Sequence, residues 1–149
     1  MIKIELKAKE LQQTLNDLYK KSQNLQPLMA QIAQTLYTIT DESFDNQASP
    51  AGVPWQPLSP STQKNKKTNK ILFESGNLRG SLTAFGTHNQ AIVGVNATYK
   101  SFPYGLTHQF GSTKLNIPAR PFLPVDENYQ LYSGVIEDIL ALVEDYFKD

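Results

Sequence analysis

The sequence predicts an α+β fold: N-terminal helices, a central antiparallel sheet with long loops rich in proline and glycine, and a C-terminal amphipathic helix. Three patterns indicate this class. Apolar residues recur with a helical period near both ends of the chain, alternating side chains in the middle indicate a β-hairpin, and prolines are dense around it. With 149 residues, the chain fits one domain with one core, residues 1–149.

Residues 1–46 are predicted to form two helices that pair antiparallel. The first carries a narrow leucine stripe at helical spacing: Leu11, Leu15, Leu18 and Leu25. Pro27 suits the first turn of the second helix because a helix start needs no N–H donor there, and an apolar stripe continues to about Phe44. Residues 2–6 alternate apolar and charged side chains, which fits either a short strand or the approach to the first helix.

Residues 47–124 are predicted to contain loops and a sheet of about four strands. Four prolines and a glycine exclude regular structure over residues 47–60, where we expect Trp55 to anchor the loop to the core. Ser59 followed by Pro60 is typical of the N-cap and first residue of a short helix.

A β-hairpin is predicted between residues 82–84 and 91–95, with its turn at residues 88–90. A single helical turn is expected within residues 103–111, ending at Gly111. Three prolines then predict an extended segment over residues 118–124, because each proline removes one backbone donor.

The last helix is predicted over residues 125–149, with a regular pattern from about Val125 to Phe147. At about 100° per residue its apolar side chains cover roughly half of the circumference, whereas one face of a small domain needs ~100°. The excess apolar surface is expected to meet another subunit. The acidic side chains fall on the opposite side, including the adjacent pairs Glu137–Asp138 and Glu144–Asp145.

The neutral net charge of the chain conceals three differently charged parts. Residues 1–59 carry −1, residues 60–120 carry +7, and residues 121–149 carry −6. A basic middle and an acidic end matter for association more than for folding. The absence of cysteine excludes a disulfide framework, a thiolate nucleophile and a zinc–thiolate site. No apolar run approaches the ~20 residues of a membrane span, so we expect the protein to fold in a cytoplasm.

Common catalytic patterns are missing from the sequence, including the nucleophile elbow, the P-loop and the H-E-x-x-H zinc motif. His88 lies in the predicted hairpin turn and is interpreted as solvated. His108 is interpreted as an enclosed histidine hydrogen-bonded to the backbone rather than a base, and the paired carboxylates as a solvated helix face rather than a metal site. We therefore predict no enzyme activity, no cofactor and no metal.

The basic loop is the run of lysines between residues 64 and 70: Lys64, Lys66, Lys67 and Lys70. Its density of positive charge is sufficient for phosphate contacts, but no aromatic residue is interleaved for base stacking. A mobile surface loop is the simpler interpretation, and contact with DNA or with an acidic partner surface stays open.

Arg79 and Arg120 are the two arginines in a chain with twelve lysines. Both lie in apolar sequence rich in turn residues. A guanidinium can bridge several carbonyls or a carboxylate with fixed geometry, which an ammonium group cannot do. We expect both arginines to lock loops or an interface.

Five motifs stand in order along about residues 44–125. They are Pro-x-Gly-x-Pro-Trp-x-Pro-Leu-Ser, Leu-x-x-Ser-Gly-x-Leu-Arg-x-Ser, Val-Gly-x-Asn-x-x-Tyr, His-Gln-Phe-Gly and Ile-Pro-Ala-Arg-Pro-Phe-Leu. In this order they resemble the phage virion morphogenesis family of tail-completion proteins, including its Mu-like prophage members.

The resemblance implies a small α+β virion component that completes the head-proximal end of the tail as an oligomeric ring. Implied partners are other copies of the chain, the tail tube and head-tail connector proteins, with possible DNA contact and no membrane. Implied locations are the host cytoplasm during assembly and then the virion tail. The positions that match as structural or interface candidates are Gly52, Trp55, Gly76, Leu78, Arg79, His108, Gln109, Gly111, Arg120, Pro121 and Phe122.

Two other functions stay open on sequence grounds. One is a nucleic-acid-contacting module that uses the basic loop, which predicts strongly salt-dependent retention on DNA. The other is a hydrolase that uses His108 with carboxylates distant in sequence, which requires a pocket that joins them.

Overall fold

A computed structural model describes residues 8–148 and confirms the α+β class. Its element order along the chain is α1 (Ala8–Gln23), α2 (Gln26–Asn46), α3 (Pro60–Asn65), α4 (Asn77–Gly80), β1 (Thr83–Gly86), β2 (Ala91–Gly94), α5 (Tyr104–Phe110) and α6 (Ser133–Lys148). The expected approach or strand at residues 2–6 lies outside the described residues. No helix within residues 8–148 has the length and apolar character needed to cross a membrane.

Helix α2 is the central element of the fold. Its residues at helical spacing, Leu28, Ile32 and Leu36, are buried with Val135 of α6 and form the first core. The hairpin packs on the same helix, with Ala91 and Val93 against this core. One helix face therefore organises both the sheet and the C-terminal helix.

The second core lies towards the C-terminal end of α2. Phe44, Trp55, Leu78 and Phe122 are buried together, and the Phe44 ring meets Trp55 edge-on at 5.7 Å between centroids. Phe122 has no exposed surface. At about 1.5 Å per residue along α2, Phe44 lies roughly 24 Å from Leu28. The two cores therefore occupy opposite ends of α2.

The sheet is smaller than predicted. Within residues 8–148 it is one antiparallel hairpin, with Thr83 opposite Gly94 and Gly86 opposite Ala91. The hairpin and its turn are confirmed, but the expectation of about four strands is wrong. The prolines of the middle segment supply no ladder donors, so its remaining pairings are isolated bridges such as Ser112 with Ile117.

Helix α1 does not lie along α2, so the predicted antiparallel helical pair is wrong. Two residues separate the helices, and Leu25 between them keeps right-handed helical backbone angles. On α1, Leu15 is 52% exposed and Tyr19 is 65% exposed. The leucine stripe formed the expected helix, but Leu15 is exposed, Leu18 is half-buried and Leu25 packs against the first core.

The last helix begins at Ser133, eight residues later than predicted. Over the preceding residues the Asp126 carboxylate accepts hydrogen bonds from the backbone N–H groups of Asn128 and Gln130. Tyr129 adopts a left-handed backbone with φ 61°. A local aspartate turn therefore replaces the first two helical turns, as such side chains often do. The excess apolar surface of α6 is real, since Ile136 and Leu140 are exposed.

Candidate functional site: a loop junction and a basic groove

The loop junction consists of Trp55, Gln109, Arg120 and Phe122. Its central side chain is Gln109 of α5, which is 1% exposed. The amide oxygen accepts hydrogen bonds from the backbone N–H groups of Phe122 and Leu123, both at 2.9 Å, and the amide nitrogen donates to the Val125 carbonyl at 3.3 Å. One side chain thus replaces the neighbouring strand that this extended segment lacks.

Arg120 and Trp55 connect the same segment to the loop before α3. The Arg120 guanidinium donates to the carbonyls of Gln56 at 2.8 Å and Pro57 at 3.1 Å. In the other direction, the Trp55 indole N–H donates to the Pro121 carbonyl at 2.7 Å. The loop before α3 and the extended segment after α5 are therefore held together by hydrogen bonds between side chains and backbone groups.

Gly111 allows α5 to end against this segment. Its φ of 75° favours glycine, and its N–H donates to the Thr107 carbonyl at 2.7 Å. A Cβ at this position would lie 2.8 Å from the backbone nitrogen of Ala119. The predicted helix end is confirmed, and the glycine is required both by backbone angle and by close approach.

We expect Arg120→Lys to lower the free energy of unfolding by about 1–3 kcal/mol, because the ammonium group cannot span both carbonyls. Urea denaturation monitored by circular dichroism measures the difference. Lys114→Arg is the control: it exchanges the same two residue types in the opposite direction at an exposed position, and it should leave stability unchanged. Equal stability of the Arg120→Lys variant and the parent would mean that charge alone matters at this position.

Arg79 of α4 binds two carboxylates of α2. Its guanidinium donates to both oxygens of Asp41, at 2.7 and 3.0 Å, and to both oxygens of Asp45, at 2.8 and 3.0 Å. It also lies 5.9 Å from the centre of the Phe44 ring. The hydrogen bonds that Arg79 donates to Asp41 and then to Asp45 raise the pKa of Arg79, and the one to Asp45 lowers the pKa of that carboxyl.

This ion pair gives stability that depends on pH. The pKa of Asp45 is lower in the folded state than in the unfolded state, where it is about 3.9. The contribution of the ion pair to stability is therefore present at pH values above the unfolded-state pKa and is lost as pH falls through the folded-state pKa. We therefore expect Arg79→Gln to lower the melting temperature at pH 7, with a smaller difference near pH 3. A difference of the same size at both pH values in a thermal scan would contradict an electrostatic contribution.

The basic groove is a broad concavity of about 1570 Å³ between α3, α5 and the loop at residues 111–120. Its lining contains the cations Lys66, Lys114 and Arg120 together with His108, and aromatic residues such as Phe73 and Phe102 line it as well. The Nδ1 atom of His108 is buried without a hydrogen-bond partner. Burial and then the positive charges of Arg120 and Lys66 lower the pKa of His108.

The lysines of the basic loop have different surroundings in the structure. Lys66 lines the groove and donates to the Lys70 carbonyl at 2.7 Å, while the Lys70 ammonium group lies 5.7 Å from the Phe73 ring centre. Lys64 and Lys67 are exposed and do not belong to the groove lining. The aromatics absent from the lysine run itself are thus supplied by other parts of the chain.

Candidate catalytic and metal-binding groups do not converge in the described structure. His88 is exposed in the hairpin turn. His108 shares the groove lining with Glu74, but its Nδ1 receives no carboxylate that could orient the imidazole for base catalysis. Within residues 12–148, no group of three or more histidines, aspartates and glutamates is arranged to hold a metal ion.

Sequence reasoning missed several residues that shape this region. The Gln47 amide accepts from the Ile71 N–H at 2.6 Å and donates to the Phe44 carbonyl at 2.7 Å, at a left-handed helix end with φ 51°. The sequence analysis also did not single out Asp41 and Asp45, which lie four positions apart on α2. Their spacing places them on one helix face, which is the signal that indicates a shared partner.

Comparison with known proteins identifies the class to which this fold and loop junction belong. The profile of the phage virion morphogenesis family matches residues 6–142, so the chain belongs to that family. It is also similar to the Mu-like prophage FluMu G protein 2 of Haemophilus influenzae, with 34% identity over 157 residues that cover 99% of this chain and 97% of the relative. No solved structure matches the chain.

Proposed function

We propose that this protein, as a single domain, completes the head-proximal end of a phage or prophage tail as a ring of identical subunits. The observation that carries the proposal is the loop junction. Gln109, Arg120 and Trp55, which belong to the motifs of the family resemblance, direct their polar atoms to backbone groups of the chain itself. Such residues fix the shape of a surface, and a tail component works by presenting a fixed surface to its neighbours.

The proposal assigns no catalysis and no cofactor to the protein. Its partners are other copies of the chain, the tail tube and head-tail connector proteins, first in the host cytoplasm and then in the virion tail. Membership of a phage virion morphogenesis family supports virion partners in general, and the full-length similarity to a Mu-like prophage protein supports a prophage context.

The test is completion in a lysate of the parent phage or prophage from which this gene has been deleted. Electron microscopy should show tails that do not join heads, and adding the purified chain should restore joined, infectious particles. Tails and infectivity that are normal without the gene would overturn the proposal. Tails that are missing entirely would place the protein at an earlier step than completion.

A further inference from the structure

Three cations and one carboxylate line the basic groove, so its described lining carries a net positive charge. The cations are Lys66, Lys114 and Arg120, and the carboxylate is Glu74, whose charge acts on Lys66. The charges of Lys66 and Arg120 act on His108, which shows that these three groups lie within electrostatic reach of one another. A concave surface built in this way is complementary to carboxylates flanked by apolar side chains, because Phe73 and Phe102 are also exposed there.

Helix α6 presents such a surface. Ile136 and Leu140 are 42% and 55% exposed, although the same helix buries Val135 against α2. At about 100° per residue, Glu137 and Glu144 border this apolar stripe on its solvent side. Asp138 and Asp145 lie further round the helix, on the far flank, and all four carboxylates belong to exposed residues.

The two surfaces are separated within one chain. Helix α6 packs on the first core beside Leu28 and Ile32, whereas the groove adjoins the second core at Leu78 and Tyr104. Tyr146 near the end of α6 donates to the Asn24 carbonyl, so the helix runs away from the groove. Within residues 12–148, no ion pair joins a carboxylate of α6 to a cation of the groove.

We propose that the basic groove of one subunit receives the Ile136, Leu140, Glu137 and Glu144 face of α6 from a second copy of the chain. This contact deepens the proposed function, on which it rests, by naming the two surfaces that would join neighbours in the ring. The carboxylates approach Lys66 and Lys114, and the apolar side chains cover Phe73 and Phe102. Because the two surfaces differ, the contact is heterologous and repeats from subunit to subunit.

The experiment uses reversed charges in the full-length chain. E137K/E144K places lysines opposite a basic groove, and K66E/K114E places glutamates opposite acidic helices, so each variant alone should associate about 100-fold more weakly than the parent. Mixed in equal amounts, the two variants can alternate along the assembly, which pairs opposite charges at every contact, so the mixture should associate again. Sedimentation velocity of the parent, each variant and the mixture gives the result.

Matched controls carry the same charge changes outside the proposed contact. D138K/D145K alters the far flank of α6, and K64E/K67E alters exposed lysines outside the groove lining, so both should associate like the parent. Equal loss in the controls, or a mixture that stays monomeric, would overturn the proposal. So would a parent chain that remains monomeric up to about 1 mM.

The same variants separate other functions of the groove. If K66E/K114E self-associates normally but no longer retains a single-stranded DNA oligonucleotide, the groove is a nucleic-acid site and the proposal is wrong. Self-association is measured without tails, so its loss is distinguishable from failure of the proposed function. If the chain assembles through these surfaces but does not restore joined particles in the lysate of the gene-deleted phage, only the tail-completion role is wrong.

Discussion

Gly86→Ala is expected to lower the free energy of unfolding by about 3 kcal/mol, or the melting temperature by roughly 10 °C. Gly86 ends β1 where the hairpin meets the backbone of α2. A Cβ there would lie 2.5 Å from the Met29 carbonyl carbon and still closer to the Ala30 nitrogen. Both atoms belong to the backbone of a packed helix, which cannot rotate aside as a flexible side chain does.

Gly94→Ala is the matched control for this substitution. Gly94 stands in the paired strand, opposite Thr83, and a Cβ built on it meets no atom within 4 Å. We expect its stability to change by less than about 0.5 kcal/mol. Thermal and urea denaturation of both variants give the comparison. Equal losses would mean that glycine matters through strand conformation and not through contact with α2.

Gln109→Met should lower the free energy of unfolding by about 2–6 kcal/mol, because it leaves the N–H groups of Phe122 and Leu123 without an acceptor. Methionine has a similar length and an apolar end, so the change removes hydrogen bonds with little loss of volume. The expected value follows from about 1–3 kcal/mol for each buried donor left unpaired.

Gln34→Met provides the same chemical change at an exposed position of α2 and should stay within about 0.5 kcal/mol of the parent. Hydrogen exchange adds a local measurement, since the amides of Phe122 and Leu123 should lose protection first in the Gln109 variant. A Gln109→Met chain as stable as its Gln34 counterpart would show that the extended segment is held by packing of Phe122 alone.

These two substitutions act at opposite ends of α2 and therefore separate the two cores. Gly86 affects the seating of the hairpin on the first core, and Gln109 affects the loops around the second core. The basic groove adjoins the second core, whereas the exposed stripe of α6 lies beside the first. We expect Gln109→Met to weaken self-association because it disturbs the loops beside the groove. We expect Gly86→Ala to lower the stability of the chain and to affect the groove less.

Local sequence patterns predicted the elements of the fold. The apolar period predicted α2 and α6, and the Ser59–Pro60 pair predicted the start of α3, where the Ser59 hydroxyl accepts from the Thr62 N–H. Alternation predicted the hairpin, and Gly111 predicted the end of α5. The ordered motifs predicted the family that the comparison confirmed. Each of these signals depends on residues close together in the sequence.

The candidate site was predicted only in part. The sequence singled out Trp55 as a loop anchor and Arg120 because guanidinium groups suit carbonyls, whereas Gln109 came only from the family resemblance. It offered no means of assigning their partners, which lie 13 to 66 positions away. Their roles at an interface stay a prediction.

The sequence by itself determined that α1, α2, α3, α5 and α6 form helices, where the hairpin turns, and the family to which the chain belongs. Only the tertiary structure decided that α1 leaves Leu15 exposed, that α6 starts at Ser133, and that Lys66, Lys114 and Arg120 line one groove. The physical reason is the range of the interactions. Backbone conformation and amphipathic period are local properties, whereas burial and side-chain pairing depend on which distant surfaces the packed chain brings together.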